Sequence, residues 1–298
     1  MAEIRPTHQI LIFFIFAQLL ALMVGKIMID NAQEPVFKAL SIAPEEAGSA
    51  FNVLYLIGSV ILAAIFLIII LLLPIRDILI RLLEFFSSTV STLIVFFVIL
   101  FTLNIQSAEL IALLLSLALY AAKSAFAPFR NIVAVVASAG VGALIGFSID
   151  PLPTIVFVML IAIYDVIAVW WTGHMVQFAK KFVSMQTTFT IGVQGTKEVE
   201  TKRAGKTVIK REPLHLELGT GDLAIPAALI VSVYKIGSFL FPAASFIGSI
   251  LGLYYILNRA QTEKRVFPAM PSIAIAAIIS LLIAFFLTYL WNALNLYQ

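Results

Sequence analysis

The sequence predicts an all-α polytopic membrane protein with nine transmembrane helices. Hydrophobic residues make up 62% of the 298 residues and charged residues only 12%, a balance far outside that of soluble domains. Apolar runs near the roughly 20 residues that cross a bilayer core recur along most of the chain. Lysine and arginine also concentrate in alternate connections between these runs. Together these observations predict one multi-pass bundle in the cell membrane, without a separate soluble domain.

The spans follow from the lengths of the apolar runs and from the turn residues between them. The first run continues without a small-residue cleavage site, which predicts an uncleaved span rather than a signal peptide. The fourth to sixth runs are separated by short connections that contain turn and helix-start residues. The predicted spans are 9–29, 52–73, 87–103, 109–126, 132–149, 153–173, 219–236, 240–258 and 268–291.

One long polar stretch, 174–217, separates the sixth span from the seventh. Its segments "TTFTIGV" and "LHLEL" alternate with a period of two, which predicts short strands, and the polar residues between them predict a mobile linker. We therefore divide the chain into a six-helix part (1–173), a partly mobile cytoplasmic loop (174–217) and a three-helix part (218–298).

The basic residues predict the orientation of the bundle. Sixteen of the 19 lysines and arginines fall in the N-terminal tail and in every second connection, and the other side has only Lys26, Lys38 and Lys235. Positive residues in short loops are retained in the cytoplasm. The pattern therefore predicts a cytoplasmic N-terminus and an extracytoplasmic C-terminus.

Composition excludes several classes of function. The chain has no cysteine, so disulfides, thiol nucleophiles and thiolate metal sites are excluded. His8, His174 and His215 are not at metal-ligand spacing, and we expect neither a metal nor a cofactor. The basic residues border the membrane segments instead of forming a continuous basic face, so we expect no nucleic-acid partner. The expected partner of the apolar surface is the lipid bilayer.

Two carboxylates stand out at membrane depth. Asp165 and Asp222 lie inside predicted spans, and a short aspartate side chain cannot extend to the interface. The topology places both in the cytoplasmic half of the membrane, on antiparallel helices joined by one loop. Asp77 and Glu84, in contrast, are expected in a solvated cytoplasmic connection.

The aspartate pair alone leaves three functions open. Two carboxylates in a low-dielectric site share a proton, so one can activate water while the other polarises a peptide carbonyl, as in aspartic proteases. The same pair could bind protons or cations in a transporter or ion channel. It could also be a structural pair of unrelated hydrogen-bonded side chains.

Three motifs resemble those of the intramembrane aspartyl proteases, the presenilin and signal peptide peptidase family. The family pattern is Tyr-Asp, Gly-x-Gly-Asp and Pro-Ala-Leu on the sixth, seventh and ninth helices. Here the corresponding motifs are Tyr164-Asp165, "GTGD" (219–222) and "PAM" (268–270), with methionine in place of the family leucine. The compact chain and its orientation are most similar to a microbial, archaeal-type presenilin homologue.

The resemblance implies an aspartic endopeptidase that cleaves single-span membrane proteins within their transmembrane segments, without a cofactor and without accessory subunits. It implies that Asp165 and Asp222 are the catalytic residues and that the other motif residues support the site or bind the substrate. Tyr164, Gly219 and Gly221 would support the site, and Pro268, Ala269 and Met270 would contact the substrate.

Substrate helices must unwind before their peptide bonds can be attacked, and the extended peptide then needs hydrogen-bonding partners. The alternation in 214–218 suggests that this segment pairs with the substrate as an added strand. Leu216 and Leu218 are therefore included among the expected substrate-binding residues.

Overall fold

The computed structural model describes residues 6–126, 128–171, 181–203, 206–263 and 267–295, with the backbone alone over 196–214. Within this described part, eight helices are long and apolar enough to cross a membrane, and one further apolar helix is shorter. A helix satisfies its backbone hydrogen bonds internally, as a segment surrounded by lipid requires. The fold is mostly helical, as predicted.

Each predicted span overlaps one helix of the structure. The six-helix part contains α1 (Pro6–Asp30), the short α2 (Pro35–Leu40), α3 (Ala50–Leu72), α4 (Arg76–Thr102), α5 (Ala108–Ala125), α6 (Phe129–Ser148) and α7 (Pro151–Val166). A π-helical segment, Ile167–Trp171, continues α7. The remainder contains β1 (Thr190–Arg203), β2 (Lys206–Gly219), α8 (Gly221–Tyr234), α9 (Leu240–Glu263) and α10 (Met270–Asn295).

Local chemistry sets several of the helix starts. Pro35 and Pro151 occupy the first positions of α2 and α7, where a missing N–H has no intrahelical partner to lose. Ser49 caps α3 by accepting a hydrogen bond from the Phe51 N–H at 3.2 Å. Proline thus removes one unpaired donor at two helix starts, and Ser49 satisfies one at a third.

The polar loop forms a longer β-hairpin than the sequence predicts. β1 and β2 pair antiparallel from Thr190 opposite Gly219 to Arg203 opposite Lys206. The strands therefore continue through residues that the sequence predicts as linker. An antiparallel ladder pairs backbone with backbone whatever the side chains, and only two residues separate the strands, so the polar sequence can continue the ladder. Residues 174–180 of the predicted loop lie outside the described residues.

Helix α8 lies at the centre of the bundle. Its residues from Leu223 to Val233 are buried except Ile225, and it packs against α1, α6, α7 and α9. Gly142 and Gly146 of α6 face it with GxxxG spacing, and a Cβ at Gly142 would lie 2.8 Å from the carbonyl oxygen of Ala224. Small residues thus allow close backbone packing, and α6 fixes the position of the helix that carries Asp222.

Candidate active site

Asp165 lies in the last turn of α7, directly before the π-helical segment. Its Oδ2 accepts a hydrogen bond from the backbone N–H of Met270 at 3.2 Å, and the backbone of Ala269 also hydrogen-bonds this carboxylate. Met270 begins α10, and the first N–H groups of a helix have no intrahelical acceptor. The start of α10 therefore supplies donors and the positive end of a helix dipole to Asp165.

Asp222 lies in the first turn of α8. The backbone of Gly219 hydrogen-bonds its carboxylate, and the Asp165 carboxylate is near enough for the two negative charges to interact. Both aspartates are half-buried. The structure thus brings together the two carboxylates that the sequence singled out, each beside a helix N-terminus that favours negative charge.

The two glycines before Asp222 differ in their surroundings. A Cβ at Gly219 would lie 3.2 Å from Oδ2 of Asp222, whereas a Cβ at Gly221 would have no neighbour within 4 Å. Neither glycine has a positive φ; among the described glycines only Gly237 does. Neither position therefore requires a left-handed backbone, and close packing accounts for Gly219 alone.

Tyr164 is half-buried beside Asp165, and its hydroxyl lies within electrostatic range of the Asp165 carboxylate. In the "PAM" motif, Pro268 is buried, Ala269 is half-buried and Met270 is 2% exposed. The Met270 side chain packs in the apolar core between α7, α8 and α10. The motif thus contacts Asp165 through its backbone, and its methionine packs in the interior.

Leu216 and Leu218 have buried side chains, with 9% and 4% exposure. They pack with Ile191 and Val193 of β1. Their side chains are therefore packed within the protein itself and are not available to a substrate.

The backbone of β2 can be oriented from its neighbours. Asn131 of α6 bonds both backbone groups of Gly192, donating to its C=O at 2.9 Å and accepting from its N–H at 3.2 Å. The Gly192 backbone therefore points away from β2. Residues opposite each other in an antiparallel pair share this direction, so its partner Glu217 points away from β1. The backbone N–H and C=O of His215, two residues earlier, also point away from β1.

The environment of Glu84 differs from the predicted one. Helix α4 begins at Arg76, 11 residues before the predicted span, so Glu84 lies inside a helix and is 2% exposed rather than solvated. It forms an ion pair with Lys123 of α5. A charged connection and the polar first turns of a long helix have the same composition, which explains the error.

Gln18 was not singled out by the sequence analysis. It is fully buried on α1, and its Nε2 donates to the carbonyl oxygen of Leu223 at 2.9 Å. Pro226, inside α8, has no N–H to offer the carbonyl of Asp222 four residues earlier. A side chain of α1 thus helps to hold the first turn of α8 in place. The only sequence feature that could have indicated this role is a glutamine within the apolar run of α1.

An open cavity of about 190 Å³ adjoins the start of α8. Its lining comes from α4 (Ser87, Ser88, Ser91), α6 (Ala137, Ser138, Val141), α8 (Gly221, Ala224) and the residues next to the hairpin (Thr188, Phe189, Thr220). At roughly 30 Å³ per molecule this volume holds several waters. The cavity therefore places room for water next to the residue before Asp222.

Comparison with solved structures agrees with this fold. Two solved structures of a presenilin family intramembrane aspartate protease have the same fold. The one in the C222 space group has a TM-score of 0.66 and 22% identity, covering 95% of this chain and 99% of that one. The one in the P2 space group has a TM-score of 0.66 and 23% identity, covering 96% and 99%. No curated protein matches the chain.

The family model described as signal-peptide peptidase, presenilin aspartyl protease matches residues 11–290. This match includes α7, α8 and the start of α10, which carry the three motifs. The chain belongs to the signal-peptide peptidase and presenilin family of aspartyl proteases.

Proposed function

We propose that Asp165 and Asp222 are the catalytic pair with which this intramembrane aspartyl protease hydrolyses peptide bonds. The observation that carries the proposal is the meeting of two half-buried carboxylates from α7 and α8. Each also receives backbone hydrogen bonds from a family motif. The donors orient the carboxylates, so the pair is held before substrate arrives.

The chemistry follows from the proximity of two acids. Two adjacent carboxylates in a poorly solvated site share one proton, because ionising both would place two negative charges together. The ionised member takes a proton from water, and the resulting hydroxide attacks the peptide carbonyl carbon. The protonated member donates to the carbonyl oxygen. Collapse of the tetrahedral species then breaks the C–N bond, and the amine leaves with a proton.

The cavity beside Gly221 is the proposed source of water. Most of its lining surface is apolar, but the serine and threonine oxygens can accept hydrogen bonds from water molecules. Water held there would lie one residue from Asp222, so hydrolysis would not depend on water crossing the lipid.

The proposed substrates are single-span membrane proteins, bound in extended form along β2. The described sheet has only two strands, and Asn131 occupies the outer edge of β1 at Gly192. The outward N–H and C=O groups of His215 and Glu217 would pair with the substrate backbone, and β2 would direct it toward Gly219 and Asp222. Leu216 and Leu218 would hold this strand in place through their buried side chains.

The remaining assignments extend this proposal. Tyr164 and Gly219 support the two carboxylates, Gly221 leaves room for the substrate backbone, and 268–270 holds Asp165 while bordering the substrate.

We also propose nine spans with a cytoplasmic N-terminus and an extracytoplasmic C-terminus, in which 174–217 is the cytoplasmic loop. The protease would act without accessory subunits.

Cleavage of a purified single-span substrate in liposomes tests the catalytic pair. We expect Asp165→Asn and Asp222→Asn each to abolish cleavage, because one amide in the pair can neither activate water nor share a proton. Unchanged elution in size-exclusion chromatography would show that both variants fold. Persistent cleavage in either variant would contradict the proposal, and aspartate-dependent ion flux without proteolysis would favour transport instead.

A further inference from the structure

Glu84 is a buried carboxylate outside the proposed catalytic pair. Its carboxylate contacts the Nζ of Lys123 and accepts a hydrogen bond from the backbone N–H of Thr188 at 2.6 Å. Burying an ion pair is costly unless its geometry is good and further hydrogen bonds complete it. Here the further bond goes to the segment that leads into β1.

Thr188 and Phe189 connect this ion pair to the start of α8. The hydroxyl of Thr188 lies 2.7 Å from that of Ser88 on α4, which makes a second contact to the same helix. The carbonyl oxygen of Phe189 accepts two hydrogen bonds from Thr220, from its N–H at 3.0 Å and from its Oγ1 at 3.1 Å. Thr220 is the variable residue of the "GTGD" motif, two positions before Asp222.

We propose that Glu84, paired with Lys123, is a positioning residue for Asp222. It fixes the Thr188 N–H, and through Phe189 and Thr220 it sets where α8 begins. The carboxylate of Asp222 follows within one helical turn, so its distance to Asp165 depends on this path. The proposal rests on the proposed function, since it assigns Glu84 a part in the same reaction.

A second ion pair, which links α4 to the segment before β1, provides a control. Lys181 lies 2.6 Å from Asp77 at the start of α4, but the side chain of Asp77 is 59% exposed. Exposed pairs contribute little, and this one is farther along the chain from the "GTGD" motif. It shares the helix and the loop with Glu84 but lacks the bond to Thr188.

The test compares two double variants that both lack the ion pair. Glu84→Gln/Lys123→Met keeps an oxygen that accepts from the Thr188 N–H, whereas Glu84→Met/Lys123→Met keeps none, and neither leaves a lysine unpaired. Cleavage of a single-span substrate in liposomes gives kcat and KM per folded enzyme. Displacement of a catalytic group through distant residues lowers turnover, so we expect kcat of the Met/Met variant to be about tenfold lower with KM unchanged.

The Gln/Met variant should keep kcat within about threefold of the parent, and Asp77→Asn should match the parent. A role in stability alone would lower the unfolding temperature of both double variants and leave their kcat equal; equal kcat values would therefore overturn the proposal. If the Met/Met variant does not fold, Thr220→Val removes the Oγ1 bond to Phe189 together with one hydroxyl of the cavity, whereas Ser138→Ala removes a cavity hydroxyl that is not on the path. Lower kcat with unchanged KM in Thr220→Val but not in Ser138→Ala then supports the path, and equal kcat in these two variants overturns it.

The parent chain separates this inference from the proposed function. Cleavage that requires Asp222 in the parent, together with equal kcat in the two double variants, would overturn the role of Glu84 alone. A parent chain without any cleavage that depends on Asp222 would overturn both.

Discussion

Gly219 and Gly221 flank one residue of the same motif, but only the first is crowded by the protein. The Cβ position of Gly219 lies 3.2 Å from Asp222 Oδ2, and that of Gly221 has open space within 4 Å. A contact of 3.2 Å requires the carboxylate to move by a few tenths of an ångström. Because the proposed mechanism makes this carboxylate a reacting group, the two glycines should respond differently to the same substitution.

We expect Gly219→Ala to lower kcat about tenfold, since a small displacement of a catalytic group is costly. Gly221→Ala should leave the unfolding temperature unchanged, because the added methyl group meets no protein atom. Kinetics with a single-span substrate and thermal unfolding in detergent check both variants. Parent-level kcat in Gly219→Ala would contradict this account, whereas a raised KM in Gly221→Ala would show that substrate approaches there.

Individual residues differ in how far the sequence predicts their roles. Asp165 and Asp222 could be found because a charge inside an apolar run is rare and the surrounding motifs are specific. Glu84 could not, because its burial depends on where α4 begins and on Lys123, 39 positions later in the chain. The contact between Gln18 and Leu223 spans 205 positions, and no local pattern specifies its partner.

At the scale of elements, the two edges of β2 differ in their hydrogen-bonding surroundings. One edge pairs with β1 along the hairpin, and the other carries the outward groups of His215 and Glu217. The alternation of apolar and polar residues predicts that the strand exists. It predicts neither how long the strand is nor which of its N–H and C=O groups face β1. Those depend on pairing with β1 and on the contact between Asn131 and Gly192.

The edge of β2 gives a prediction that separates substrate pairing from hairpin stability. Glu217→Pro removes an N–H that points away from β1, and we expect cleavage to fall about tenfold with little change in unfolding temperature. Leu216→Pro removes an N–H that points toward β1 and should lower the unfolding temperature itself. Rate measurements and thermal unfolding of the two variants test this difference.

The Oε1 of Glu217 also lies 3.7 Å from the Nη2 of Arg130, so the loss of the Glu217 charge needs a separate control. Glu217→Gln retains the backbone N–H and should cleave at nearly the parent rate, because a partly exposed ion pair contributes little. Parent-level cleavage by Glu217→Pro would exclude substrate pairing at this edge.

At the scale of the whole molecule, the alternation of basic residues predicts an orientation that can be tested directly. Ser107 precedes α5 and Ser124 lies in its last turn, and both side chains are exposed. The predicted topology places Ser107 outside and Ser124 at the cytoplasmic end of the fourth span. The chain has no cysteine, so single cysteines can be introduced without background labelling.

We expect a membrane-impermeant maleimide to label Ser107→Cys in intact cells and Ser124→Cys only in inside-out vesicles. The positive-inside rule provides the physical reason, since basic residues cluster on the side of Ser124. Retained substrate cleavage in both variants would show that they fold normally. The reverse labelling pattern would contradict the orientation and place the long loop outside.

The shortness of α8 has a consequence for the depth of the candidate site. Its 14 residues extend about 21 Å, against about 30 Å for a typical hydrocarbon core. At its far end, Lys235 hydrogen-bonds the Ile149 carbonyl at 3.0 Å, which places polar groups close to the helix. Because α8 is enclosed by the surrounding helices, the protein rather than lipid accounts for the missing length. With Lys235 near one membrane surface, the first turn with Asp222 lies about 9 Å inside the opposite surface of the hydrocarbon core, so peptide bonds are reached within the membrane rather than at its edge.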